Sequence, residues 1–304
     1  MKLATTTSDF AYYGKGYRES LELIREAGFK YVYLSMYTPF ENDELLLSDN
    51  WKENAKKLRE FAENLGLTFV QAHSPGGNAL DENDAQRTID LTIRSILVCG
   101  ELGIPNTVVH AGCADGIGKD EFYEKNKAFY EKLFPAMEET GVNVLTENST
   151  NANMHGRYYL IDGEDMRNFI KYVNHPLLHG CWDTGHANIE GVQYEHIKAL
   201  SDEVYALHIN DNCGKMDEHI IPYFGTVNMD DVMHGLIDIG YNGYFTFEAT
   251  NTLRPADYPY MGSRRRFESD KRLFYPSLFM QKHMERLMYE IGEHILKKYD
   301  VFSE

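Results

Sequence analysis

The sequence predicts one α/β domain, a (β/α)8 TIM barrel with a C-terminal helical extension. Eight short β-rich runs alternate with amphipathic segments, the pattern of a parallel sheet with crossover helices. Five of those segments stop at a glycine a few residues before the next run. Six successive runs carry an acid or a histidine towards the same end.

The first run is KLATTT (2–7), followed by a helix over 18–27 that stops at Gly28. YVYLSM (31–36) leads to a helix over 51–65 stopped by Gly66, and TFVQAH (68–73) to one over 84–102 stopped by Gly103. NTVVHAG (106–112) precedes a long helix over 121–140 stopped by Gly141, and NVLTEN (143–148) precedes a shorter one over 164–173. HGCWDT (179–184), a helix over 194–200, VYALHIND (204–211), a helix over 229–239 stopped by Gly240, and YFTFEAT (244–250) complete the series. An open doubly wound sheet would want a glycine-rich phosphate turn after the first strand, and TTTSDFAYYGKG is not one. The barrel therefore spans 1–250. Residues 251–304, aromatic and locally basic before a helix over 281–298, are expected to pack on the same domain as a lid or an oligomer contact.

The composition is that of a soluble globular chain, 43% hydrophobic and 25% charged over 304 residues. With 47 acids against 30 bases the net charge is −17, which disfavours nucleic acid as a partner, since duplex binding rests on neutralising phosphates. Arg264, Arg265 and Arg266 are the compact basic candidate and are read as a solvated turn or a subunit contact. No run approaches the roughly 18 apolar residues of a membrane span, and the first residues lack the apolar core of a signal peptide. Cys99, Cys113, Cys181 and Cys213 form no CxxC pair and read as reduced thiols in a cytoplasm. The 21 tyrosines and 16 phenylalanines suit aromatic-lined pockets and subunit interfaces, and a homo-oligomer is expected.

Active-site groups of such barrels gather at the C-terminal ends of the strands. At or near the ends of runs three to eight stand His73, His110, Glu147, Asp183, His208 and Glu248. Taken singly, each has an ordinary reading as a hydrogen-bonded or salt-bridged residue. Together they would repel or stay unsatisfied without a cation. Asp183, directly after the apolar HGCW, makes the point: a carboxylate there is costly to desolvate unless something offsets it. The mixed oxygen and imidazole set suits one divalent cation, Mn²⁺, Mg²⁺, Co²⁺ or Zn²⁺, and the lack of thiolates among the strand ends argues against a structural zinc. Cys113 and Cys213 are expected to be pocket-wall residues. Trp182 should point away from Asp183 by strand alternation. The HSPGGN turn (73–78) offers backbone N–H groups for a hydroxyl or phosphate, or is only a turn, and His155 and Arg157 lie in a loop that reaches substrate or is merely exposed. His175, His196, His234, His283 and His294 are expected to be structural or surface residues.

LTENS, CWDTGHANIEG, ALHINDN followed by DEHIIPYFGTVNMDDVM, and GYFTFEAT together resemble the xylose-isomerase-like barrel superfamily, which holds sugar isomerases and epimerases alongside endonuclease IV. Resemblance to the ketose 3-epimerase branch implies a metal on Glu147, Asp183, His208 and Glu248, with Glu147 and Glu248 also the acid–base pair, one on each face of a small sugar substrate. A cation holding a carbonyl and a neighbouring hydroxyl acidifies the C–H between them, and carboxylates can remove and return that proton. His186 would bind a substrate oxygen, with His73, His110, Asp217, His219 and Lys215 around it. The chain departs from that branch where a second glutamate is expected, at Asn153, and where an arginine is expected after the seventh strand; Lys215 is the residue able to stand in for it. A dehydratase or lyase acting on keto-sugars or cyclitols would use the same metal-enolate chemistry. An endonuclease IV-like enzyme would hold three zinc ions on His73, His110, Glu147, Asp183, His186, His208, Asp217, His219 and Glu248. The acidic chain, and the occurrence of D-x-H before a G-T-x-N stretch in sugar enzymes too, rank the sugar reaction first. A non-catalytic sugar-binding barrel would be expected to lose an acid–base carboxylate, and both are present.

Overall fold

The computed structural model describes residues 1–39, 42–191, 193–253 and 269–304. Arg264, Arg265 and Arg266 lie outside the described residues. The strands are β1 (Lys2–Thr6), β2 (Tyr31–Ser35), β3 (Thr68–His73), β4 (Asn106–Val108), β5 (Asn143–Glu147), β6 (Leu178–Asp183), β7 (Val204–His208) and β8 (Tyr244–Thr246). All neighbouring pairs are parallel, in the order β7-β6-β5-β4-β3-β2-β1-β8. The ring closes through a parallel bridge between Ile209 and Phe247, where Ile209 N–H donates to Thr246 O at 2.8 Å and Glu248 N–H donates to Ile209 O at 3.0 Å.

The helices are α1 (Tyr17–Ala27), α2 (Trp51–Asn64), α3 (Ala85–Leu102), α4 (Lys119–Glu131), α5 (Phe134–Thr140), α6 (Asn151–Met154), α7 (Gly163–Val173), α8 (Thr184–Glu190), α9 (Gln193–Leu200), α10 (Met229–Asp238) and α11 (Leu278–Lys298). Their apolar residues recur at helical spacing: α1 buries Tyr17, Leu21, Ile24 and Ala27 against the barrel wall. The five glycine stops, Gly28, Gly66, Gly103, Gly141 and Gly240, all adopt left-handed φ values between 70° and 110°.

Three expectations change. The single helix over 121–140 is two, because Pro135, in the first turn of α5, lacks an N–H and its ring would clash with the carbonyl one turn back in a continuous helix. The run 106–112 is a strand only to Val108; Val109 still donates to Leu145 O at 2.9 Å, but the chain then leaves the ladder, so His110 stands above the rim. The stretch after Asp183 turns directly into α8, with the Asp183 side chain as its cap.

Helix α11 lies against α1 and the β1 wall and takes the ring position of the eighth helix. Tyr289 meets Phe29 edge-on at 5.1 Å between ring centroids, Arg286 Nη1 donates to Ala27 O at 3.1 Å, and Met288, Ile295 and Leu296 are buried. Inside the barrel, Val108, Leu145, Cys181 and Ala206 form a small apolar layer. Each lies two residues before His110, Glu147, Asp183 or His208, so the period of two that fills the barrel with apolar side chains also aims these four polar ones into its mouth. Trp182, one residue out of phase, is fully buried on the helix side and donates to Gln193 Oε1 at 3.1 Å, as alternation predicts. Among the described residues no helix is long and apolar enough to cross a membrane.

Candidate metal centre

Glu147, Asp183, His208 and Glu248 each bring a potential ligand atom to within 4.8 Å of the others. Glu147, Asp183 and His208 are buried, and His208 Nδ1 sits between the two glutamates, 2.8 Å from Glu147 Oε1 and 3.2 Å from Glu248 Oε2. Burial pushes the Glu147 carboxyl up, but the imidazoles of His208 and His110 outweigh it and hold it well below the usual range. Burial pushes Asp183 up to about 6 against the pull of His186 and His219. Glu147 Oε2 is buried without a hydrogen-bond partner, facing His110 Nε2 at 3.3 Å and His73 Nε2 at 3.7 Å. An orphaned carboxylate oxygen among imidazole nitrogens fits a cation, and the donor set of hard oxygens with one imidazole fits Mn²⁺, Mg²⁺, Co²⁺ or Zn²⁺.

The local sequence explains why Asp183 is held so firmly. Its Oδ1 accepts from His186 N at 2.6 Å and its Oδ2 from Asn210 Nδ2 at 2.7 Å. Thr184 Oγ1 donates to Asn210 O at 2.7 Å while Asn210 N–H donates back to Thr184 Oγ1 at 3.0 Å. Gly185 must be glycine, since a Cβ there would lie 1.8 Å from Asn210 Oδ1. Asn148 completes the frame, accepting from Asp183 N at 2.7 Å and donating to Asp183 O at 2.9 Å. The DTGH and HIND stretches are thus two halves of one hydrogen-bonded joint.

Around this group the structure gathers two more: His73, His110 and Glu147, and Asp183, His186 and His219. Asp217 joins the latter, 3.1 Å from His186 Nε2 and 2.9 Å from His219 Nε2. It is carried on a hairpin-like loop whose root is the antiparallel bridge Asp211–Ile220, with Asp211 accepting from Gly225 N and Val227 N at 3.0 and 2.8 Å. Three histidines pair Nδ1 with a backbone carbonyl: His73 with Ser74 O at 2.7 Å, His186 with Asn148 O at 2.8 Å and His219 with Glu248 O at 2.9 Å. With Nδ1 paired to a carbonyl, Nε2 is the nitrogen turned to the cavity in each, the arrangement that orients imidazole ligands. Burial lowers His110 to about 4, whereas Asp183 and Asp217 overcome the burial of His186 and raise it to about 10.

These groups line a cavity of about 850 Å³ at the barrel mouth. Lys215, exposed at its rim, and Asn153, His155 and Cys113 also line it, and Asn153 Nδ2 donates to Asp217 Oδ2 at 2.8 Å. Two expectations fail. Cys213 is exposed and is not among the lining residues, because the loop that carries Asp217 turns it outward. Arg157 is likewise absent from the lining; its Nε donates to Met154 O and lies 3.6 Å from Asp115. The HSPGGN turn lines the cavity, but the N–H groups of Ser74, Gly76 and Asn78 are already committed to Val108 O, Tyr37 O and Asp84 Oδ2, which leaves a turn rather than an anion cradle. Sequence reasoning missed Tyr33, Asn148 and Asn210, although Tyr33 stands at an inward position of β2 and both asparagines flank predicted ligands.

The family model described as a xylose isomerase-like TIM barrel matches residues 21–268. The chain belongs to that family. It is 26% identical over 268 residues to the uncharacterized protein y4fM of Sinorhizobium fredii, covering 78% of this chain and 82% of the relative. Among solved structures it is similar to D-psicose 3-epimerase from Clostridium cellulolyticum H10, with a TM-score of 0.72 and 18% identity, covering 97% of this chain and 99% of the other. It is also similar to an AP endonuclease, family 2, from Brucella melitensis, with a TM-score of 0.64 and 19% identity over 82% of this chain and 93% of the other. At such identities the likeness is one of fold.

Proposed function

We propose that the protein is a divalent-metal-dependent sugar isomerase or epimerase acting on a ketose or keto-sugar. The observation that carries the reading is the convergence of Glu147, Asp183, His208 and Glu248 on one point beside a cavity of about 850 Å³. The likeness in fold to a D-psicose 3-epimerase supports it. A divalent cation held by these four residues would polarise a carbonyl and a neighbouring hydroxyl of the substrate and so acidify the C–H bond between them. One glutamate takes the proton and the other returns it, Glu147 at the end of β5 and Glu248 just beyond β8, one on each face of the substrate. His186, Asp217 and His219 bind hydroxyls, with Lys215 and Asn153 at the rim. The enzyme is expected in the cytoplasm, as a homo-oligomer.

Incubating ketoses and keto-sugars with Mn²⁺-loaded protein in D₂O tests this directly. Deuterium at a carbon next to the carbonyl, with an epimer or isomer as product, supports the reading. Loss of water, the proton from that carbon and the hydroxyl from its β-neighbour, identifies the dehydratase or lyase alternative, which shares the first proton transfer. No exchange in any substrate class counts against both.

The two additional ligand groups favour a second reading, a three-zinc enzyme that nicks DNA at abasic sites, with His73, His110, His186, Asp217 and His219 as ligands. The net charge of −17 places it second, because phosphate binding would have to work against the protein's own field. Metal analysis of protein purified without chelator separates the two readings: about one Mn, Mg or Co per chain against nearly three Zn.

A further inference from the structure

Tyr33 projects from β2 into the barrel and is fully buried. Its hydroxyl donates to Glu248 Oε1 at 2.7 Å. Its ring stacks on His208, with centroids 5.2 Å apart and planes 20° from parallel. One side chain therefore touches two of the four residues assigned to the cation. The Glu248 oxygens are divided by these contacts, since Oε1 is taken by Tyr33 while Oε2 faces His208 Nδ1 at 3.2 Å and His219 Nδ1 at 3.5 Å. Asp183 is fixed differently, with both oxygens held, Oδ1 by the His186 N–H and Oδ2 by the Asn210 amide.

We infer that Tyr33 is a positioning residue of the metal centre, whose hydroxyl pins Glu248 Oε1 and leaves Oε2 as the oxygen turned to the cation. This rests on the metal-dependent reading above. A carboxylate on a side chain with three rotatable bonds has several orientations, and only some present an oxygen to the other ligands. Fixing the carboxylate by an outer partner removes that freedom before the cation arrives, which is how such partners sustain metal affinity. Tyr33 is fully buried while Glu248 borders the cavity, so removing the hydroxyl takes away the donor on the protein side of Glu248 Oε1. Tyr33 reaches no substrate in this assignment; it acts through Glu248.

The test is a double-mutant cycle read by Mn²⁺ binding calorimetry rather than by turnover, using Tyr33→Phe, Glu248→Gln and the double variant. Phe keeps the ring and its stack on His208, and thermal melting checks each fold. The expected result is about a tenfold weaker Mn²⁺ affinity in Tyr33→Phe, at the lower end of what loss of an outer partner costs. In the Glu248→Gln background the same change should then cost little more. The visible spectrum of the Co²⁺-loaded protein, which reports the ligand geometry, should shift in Tyr33→Phe. Wild-type affinity and spectrum in Tyr33→Phe would overturn the inference, as would a tenfold loss that persists undiminished without the Glu248 carboxylate, since the ring would then be acting as structure alone. If Glu248→Gln itself leaves Mn²⁺ affinity unchanged, the four-residue metal centre is what has failed, and the role of Tyr33 falls with it.

Discussion

Two buried acidic clusters in this barrel are built from the same residue types and behave in opposite ways. At the mouth, Glu147, Asp183, Asp217 and Glu248 are interleaved with five histidines, and opposite partners hold Glu147 and Asp217 well below the usual carboxylate range despite their burial. On the β1 side, Asp9 from the 3₁₀ turn after β1 faces Glu285 from α11, 2% and 1% exposed. Thr5 donates to Asp9 Oδ2 at 2.8 Å, while Asp9 Oδ1 and both Glu285 oxygens have no hydrogen-bond partner. The basic residues flanking Glu285 turn elsewhere, Lys282 to Glu26 and Arg286 to Glu290 and Ala27 O. Burial pushes Asp9 up to about 7 and Glu285 well above its ordinary value, with their mutual repulsion adding to the latter. Burial alone does not keep a carboxylate charged; for Glu147 and Asp217 the imidazoles do. Glu147 and Asp217, among histidines, stay ionised and suit a cation, whereas the Asp9–Glu285 pair on its own suits a shared proton.

The largest effect expected of that contrast is catalytic. Glu147→Gln or Glu248→Gln should slow deuterium exchange into a ketose substrate by about 10²- to 10⁴-fold, the usual worth of a general acid or base. Glu285→Gln should leave the exchange rate nearly unchanged, and a comparable loss there would erase the distinction between the clusters.

Metal affinity comes next. Asn210→Ala frees Asp183 Oδ2 and should weaken Mn²⁺ binding by about 10- to 100-fold in calorimetry. Gly185→Ala attacks the same joint from the other side. Its Cβ would lie 1.8 Å from Asn210 Oδ1, and the forced shift should cost about 1–3 kcal/mol in chemical denaturation, with lower metal affinity.

The smallest effect is a pH dependence of stability. The folded value of Asp9, about 7, lies above its ordinary 3.8, so the folded chain holds that proton more tightly than the unfolded chain. The resulting stabilisation is fully present below pH 3.8 and is lost as pH rises through about 7. Glu285→Gln leaves Asp9 as the one acid of the pair that can ionise and removes the buried charge that Glu285 would add. Thermal melting of this variant should match wild type near pH 4 and exceed it by a few degrees above pH 7. Parallel melting curves across that range would show that the pair is not where the proton is held.

Most of the barrel was legible because its signals are local. A period of two in the strands, a period near four in the helices and a glycine at the turn are written in contiguous residues, and the same alternation that buries Leu145 and Cys181 aims Glu147 and Asp183 inward. Pro135 was legible too, and its break in the helix was overlooked. Strand ends picked out six candidate residues, and the resemblance to the ketose 3-epimerase branch narrowed them to the four proposed ligands. Their partners could not be picked out, because nothing in YVYLS says that Tyr33 will meet a glutamate 215 residues away, and nothing in α11 says that Glu285 will face Asp9. Such pairings exist only once β8 closes against β1 and the last helix docks. Sequence alone therefore determined the architecture and the inward end of each strand, through short-range geometry. The tertiary structure decided which acids meet histidines and which meet each other, because a buried group's charge depends on neighbours that only the closed ring supplies.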